Sequence, residues 1–181
     1  MILAGVVLAA AVALLRGGKL ERLGNLNLSW LPLVWAAIIL RAAAGILAKN
    51  GFVFGPWLQV AAYVLFIYVV AMNSKYPGIK LFGLGSLANF LVIAANGGTM
   101  PVSAAAIAKA GITGQPAGTH SLLTAQSRLW FLADIIPVSF RLPTPAVVSA
   151  GDLMIVAGMF IFIQYRMLCG EEARGLVLDK E

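Results

Sequence analysis

Asn96-Gly97-Gly98-Thr99-Met100-Pro101-Val102-Ser103 is where this chain stops reading as a row of apolar helices. Asn and Gly tolerate the left-handed conformation that closes a helix, so Asn96-Gly97-Gly98 ends the apolar run before it. Met100-Pro101-Val102-Ser103 restarts the chain, and from Asn96 to Ser149 no segment is suited to spanning a bilayer. Four apolar runs lie upstream, Met1 to Leu15, Trp30 to Ala48, Trp57 to Met72 and Ile79 to Ala95, and one downstream, Ser149 to Leu168. The first is short: at about 1.5 Å per residue it reaches about 22 Å, which puts Arg16 close to the membrane interface. The others approach the length that a hydrocarbon core of about 30 Å requires. Asn50-Gly51, Gly55-Pro56 and Pro77-Gly78 punctuate the short connections, which implies antiparallel neighbours.

Composition agrees with that pattern. Of 181 residues 61% are hydrophobic and 11% charged, and the mean hydropathy is +0.92, far from the roughly one quarter charged of soluble domains. Five helices and their connections use nearly all the length, leaving no room for a soluble catalytic domain. The formal charge of +6 is of the kind that cytoplasmic loops of membrane proteins carry, so it does not indicate nucleic acid. Cys169 is the only cysteine, which excludes an intrachain disulfide and a Cys-rich metal site. It lies near the expected cytoplasmic face.

Positive charge after the first run, at Arg16, Lys19 and Arg22, argues against a secretory signal, whose charge precedes its apolar core. With the N-terminus outside, Arg16, Lys19, Arg22, Lys75, Lys80, Arg166, Arg174 and Lys180 fall inside, and Lys49, Lys109, Arg128 and Arg141 outside. Eight against four, of 13 Lys and Arg in all, favours N-out and C-in. Trp30, Trp57 and Tyr76 suit an aromatic belt, whereas Trp35 is too deep.

The non-spanning stretch divides in two. Ala104 to Ala110 has helix-forming composition, with Ser103 as N-cap and Gly111 as stop. After a turn rich in Gly and Pro, Thr119 to Ile136 reads as a second interfacial element, too apolar at Leu129 to Ile136 for a free loop. Pro137, Pro143 and Pro145 keep the approach to the last helix extended. The expected fold is therefore an all-α integral membrane domain over residues 1–181. It has five transmembrane helices and an extracytoplasmic cap of short interfacial helices over residues 96–148.

Leu15-Arg16-Gly17-Gly18-Lys19-Leu20, the Asn96 to Val102 stretch, His120 followed by Leu129 to Pro137, and Ser149 to Leu153 together resemble an uncharacterised bacterial family of small multi-helix membrane proteins, catalogued as a domain of unknown function. The resemblance covers essentially the whole chain. It implies a multi-helix membrane fold and no activity.

Candidate sites follow from polar residues in apolar surroundings. Arg41 lies within a span, at a cost of about 2.5 to 3.5 kcal/mol on insertion scales, on a face of small residues that favours a helix neighbour. Asp152 can pair with Arg41 across adjoining helices, or close a capping box with Ser149, or do both. Asn89 and Asn96, seven residues apart, project from one side of a helix, where they form interhelical hydrogen bonds or line a cleft with Gln59 nearby. His120, the only histidine, holds a loop or faces a ligand. Asp134 needs a partner, for which Arg128 or Arg141 would serve. No ligand cluster for a metal, no nucleotide loop and no Ser/His/Asp arrangement stands out, so no cofactor and no catalytic residue is expected.

Two functions are consistent with this reading. The first is a non-catalytic membrane component of the bacterial cytoplasmic membrane, whose cap engages a partner subunit or membrane lipid. The second is binding or transport of an amphipathic molecule, such as a quinone or polyprenyl lipid, between cap and bundle, with Arg41, Asn89, Asn96 and His120 at its polar end. A lipid-modifying enzyme ranks third and needs His120 and Asp134 to meet in one cleft.

Overall fold

The computed structural model describes residues 2–24, 28–139 and 145–169. Pro143, Arg141, Arg174 and Lys180, used above, lie outside the described residues. Five apolar helices carry the structure: α1 (Ile2–Leu15), α3 (Leu31–Lys49), α4 (Gly55–Met72), α5 (Ile79–Ala95) and α7 (Ala150–Cys169), with short α2 (Glu21–Gly24) and α6 (Ala104–Ala110) between them. Their limits fall within two residues of the apolar runs in the sequence. Three of them, α3, α4 and α7, are long and apolar enough to cross a membrane, while α1 and α5 are apolar but shorter. Large apolar side chains face outward along them, including Trp35 at 61% and Ile39 at 67% exposed. Such a surface suits lipid and not water.

Packing order differs from chain order. Helix α3 packs on α4, α4 on α5, α5 on α7, and α7 on α1, so the last helix inserts between the fourth apolar helix and the first. Glycines make the α5–α7 contact close. A Cβ on Gly158 would strike the backbone of Phe82 and Gly78, and one on Gly151 would strike Gly85 and the Asn89 side chain. Small residues at such positions let backbones approach where lipid offers no hydrophobic drive for association.

At one end of the bundle basic side chains gather. Arg22 Nη1 donates to the carbonyls of Met167 (2.8 Å) and Leu168 (2.7 Å) at the C-terminus of α7, where a cation also favours the helix dipole. Arg16 donates to Gln164, which in turn donates to the Ala9 carbonyl. Lys75 and Arg166 both lie over the Tyr76 ring. Beneath them Ala9, Ala13, Phe162, Ile163 and Met167 form an apolar core between α1 and α7.

The cap lies at the opposite end. Helix α6 starts at Ser103, whose hydroxyl accepts from Ala106 N, and stops at Gly111 in the left-handed region, as its composition indicates. The segment from Thr119 to Ile136 is not helical, which corrects the expectation of a second interfacial helix and of an all-α chain. Strand β2 (His120–Leu122) pairs in parallel with β1 (Met100–Val102), and β3 (Ile136–Val138) pairs antiparallel with β4 (Ala146–Val148). Only Trp130–Leu132 makes a single 3-10 turn, preceded by Leu129 at φ 53°, a conformation that interrupts a helix. Backbone bonding explains the difference: β1 takes β2 on one edge and Asp134 on the other, where Asp134 N donates to Pro101 O at 3.0 Å and Ser103 N to Asp134 O at 2.9 Å. Pro101 is tolerated because that edge uses only its carbonyl. Val92, Ile93, Met100 and Ala133 form the apolar seat of the cap on α5, with Val60 and Tyr63 of α4 beside it.

Close α5–α7 packing has a measurable consequence. Gly158→Ala is expected to lower stability by about 1–3 kcal/mol through overpacking, read as a drop in thermal midpoint in detergent, while Gly24→Ala, with no atom near its added Cβ, leaves the midpoint close to its starting value.

Candidate functional site

Between bundle and cap runs a ladder of polar side chains contributed by α3, α4, α5 and the start of α7. Arg41 on α3 donates from Nη1 to Gln59 Oε1 on α4, and its guanidinium carbon lies 5.9 Å from the centre of the Tyr63 ring, also on α4. Tyr63 sits beside Asn89 of α5. Asn89 then meets the start of α7, donating from Nδ2 to Asp152 Oδ1 at 2.9 Å while its Oδ1 accepts from Ser149 Oγ at 2.8 Å. Ser149 and Asp152 close a reciprocal capping box, with Asp152 N donating to Ser149 Oγ (3.0 Å) and Ser149 N to Asp152 Oδ2 (3.1 Å). Gln59, Asn89 and Ser149 are buried; Asn89 and Ser149 bond each other, while Gln59 Oε1 accepts from Arg41 and its Nε2 has no partner among the described residues.

Helix order decides who pairs with Arg41. Because α4 and α5 stand between α3 and α7, no ion pair joins Arg41 to Asp152 within 4 Å among the described residues, and Gln59, Tyr63 and Asn89 occupy the interval. Arg41 and Asp152 still act on the cap through their fields. Both perturb His120 and Asp134.

His120 and Asp134 do come together, with Nε2 and Oδ2 3.9 Å apart. They line one cleft of about 210 Å³ with Val102, Ile107, Ile112 and Val147. Asp134 therefore faces His120, and among the described residues no ion pair joins it to Arg128, whose backbone N and O bond Asn96 Oδ1 and Nδ2. Burial, reinforced by the negative charge of Asp152 against the opposing pull of Arg41, pushes the Asp134 carboxyl up to about 8. Burial and the Arg41 charge hold the His120 imidazole below its usual range.

A second, larger cavity lies within the bundle. It measures about 420 Å³ and is walled by Val34, Ile38, Phe66, Phe82, Ile155 and Met159, with Arg41, Tyr63 and Ser86 as its polar members. That size is ordinary for a ligand site.

The four residues read as one ligand end are thus distributed. Arg41 lines the bundle cavity, His120 lines the cap cleft, Asn89 is the buried joint between α5 and α7, and Asn96 ties α5 to residue 128. Tyr63 was not singled out from the sequence. Its signal was present, since it follows Gln59 by four residues and so shares a helical face with it.

Three helices long and apolar enough to cross a membrane, in a mostly helical chain joined inside by polar side chains, point to a membrane protein. The chain belongs to a family of unknown function, DUF5317, whose model matches residues 25–164. An uncharacterized protein of Thermotoga maritima is 30% identical over 110 residues, 59% of this chain and 64% of that relative. The chain therefore matches less than two thirds of that relative's length. No solved structure matches.

Two outcomes follow from the ladder and the cleft. Asn89→Leu leaves the Ser149 hydroxyl hydrogen without its acceptor and Asp152 Oδ1 without its donor, and is expected to cost about 1–3 kcal/mol, visible in detergent unfolding. For Asp134, a folded-state value near 8 against about 3.9 unfolded means the folded protein binds more protons between those limits. Stability accordingly falls as pH rises through that window, by about 1–2 kcal/mol from pH 6.5 to 8. Asp134→Asn should flatten this slope in a thermal melt, and an unchanged slope would refute the assignment.

Proposed function

We propose that this protein is a non-catalytic component of the bacterial cytoplasmic membrane that holds an amphipathic, anionic-headed molecule in the bundle cavity. In this reading the chain crosses the bilayer five times, N-terminus outside and C-terminus cytoplasmic, with the cap on the extracytoplasmic side. The gathering of Arg16, Arg22, Lys75 and Arg166 at the end away from the cap supports that orientation.

One observation carries the binding assignment. The cavity is walled by apolar side chains yet lined also by Arg41, whose charge has no carboxylate within 4 Å among the described residues. A guanidinium in lipid demands compensation. Gln59 supplies a neutral acceptor and Tyr63 a ring face, neither of them an anion, so a phosphate or carboxylate head with an apolar tail completes what the bundle leaves open. Arg meets such groups bidentately. A polyprenyl phosphate or a phospholipid fits that requirement better than a quinone, whose carbonyls are neutral.

A second reading, in which the cap engages a partner subunit, draws on Trp130 and Phe131. Both lie on the cap, 61% and 54% exposed, and edge-to-face with each other. An interfacial anchor in the bilayer accounts for the same pair without a partner.

Gentle extraction followed by native mass spectrometry tests the assignment. The protein should retain about one anionic lipid, and Arg41→Leu should retain at least about tenfold less. Equal retention by a folded Arg41→Leu protein would overturn the reading, and recovery of a stoichiometric protein partner without lipid would favour the second.

A further inference from the structure

The cap cleft has its own chemistry, distinct from that of the bundle cavity. Asp134 is deeply buried, its side chain 7% exposed, and its Oδ1 has no hydrogen-bond partner although it is shut from solvent. Buried polar atoms are nearly always bonded, so a carboxyl oxygen left without a partner stands out. His120, with its side chain 40% exposed, opens the cleft to solvent. Its Nδ1 faces the Thr119 hydroxyl at 3.5 Å, and the tautomer with its proton on Nδ1 turns the Nε2 lone pair toward Asp134. Nε2 and Oδ2, 3.9 Å apart, are too distant to bond directly. A donor placed between them reaches both.

Once the carboxyl is ionised, the cleft presents acceptors at Oδ2 and Nε2, with Oδ1 behind them, ringed by Val102, Ile107, Ile112, Pro116 and Val147. No Lys or Arg lies within 4 Å of the carboxylate among the described residues. We propose that this cleft binds a primary ammonium group on a short carbon stem, whose N–H donors bond Asp134 Oδ2 and His120 Nε2 as Asp134 gives up its proton. An ammonium offers donors and no acceptor, the complement of this pair. The cleft's volume of about 210 Å³ admits the head and a few carbons.

The charged groups acting on Asp134 from neighbouring elements are Asp152 at the start of α7 and Arg41 on α3, with His120 of β2 in front of it. The free cleft holds its carboxyl protonated at neutral pH, since burial raises it to about 8. Binding of a cation therefore releases the proton, and apparent affinity falls with the fraction of deprotonated sites. Below that value affinity should rise about tenfold per pH unit and level off above it.

The test uses the full chain in nanodiscs of phosphatidylcholine, titrated calorimetrically with ethylammonium in two buffers of different ionisation enthalpy. Expected are saturable binding, release of about one proton at pH 7 and a roughly tenfold gain in affinity from pH 6 to 7. Tetramethylammonium, which has no N–H, should fail to bind. Folded Asp134→Asn should lose affinity at least about tenfold, and where that variant does not fold the proton count on the unaltered chain decides. Discs containing phosphatidylethanolamine distinguish the source. Suppressed ethylammonium binding there assigns the cleft to the lipid headgroup, and undiminished binding assigns it to a free amine. Absence of binding, equal affinity for tetramethylammonium, no proton release, or full affinity in folded Asp134→Asn would overturn the proposal.

Discussion

The bond set joining Asn89, Ser149 and Asp152 is the constraint on which the rest of the molecule hangs. It lies where α5 passes the first turn of α7, and every member is committed: Asn89 donates to Asp152 and accepts from Ser149, while Ser149 and Asp152 cap the helix reciprocally. In an apolar bundle such groups have no water to fall back on. Their mutual satisfaction fixes the rotation and depth of α7 against α5. Gly85 and Gly151 make the approach close enough for the bonds to form, so the glycine contact and the polar joint are one feature.

That joint also connects two compartments. On the bundle side it continues through Tyr63 to Arg41 and the larger cavity. On the cap side Asp152 and Arg41 both act on the His120–Asp134 cleft. The cap itself is seated by apolar contacts from Met100 and Ala133 to Val92 and Ile93 on α5. Its parallel β1–β2 pairing and the Asp134 bridge hold the cleft residues to a strand and not to a free loop.

Hydrophobic length was written plainly in the sequence, which is why the helix limits were legible to within two residues: lipid-facing runs are long, and their ends carry Asn, Gly and Pro. The capping box and the α6 caps were legible for a similar reason, since each depends on residues three or four apart. Pairings between distant segments were not. Whether Thr119 to Leu129 bonds itself or another segment depends on β1 presenting an open edge, and nothing local to that segment records it. The partner of Arg41 depended on α7 inserting between α5 and α1, a packing choice that spacing along the chain does not encode. The His120–Asp134 encounter, fourteen residues apart in sequence, is set by the same β1 edge pairing.

The most direct measurement is an experimental structure of the protein taken from native membranes without lipid exchange. The account predicts α3, α4, α5, α7 and α1 packed in that order, with elongated density in the cavity beside Phe66, Phe82 and Ile155 and its polar end at the Arg41 guanidinium. A cavity filled by the protein's own side chains, or Arg41 bonded to a carboxylate of the chain, would contradict it.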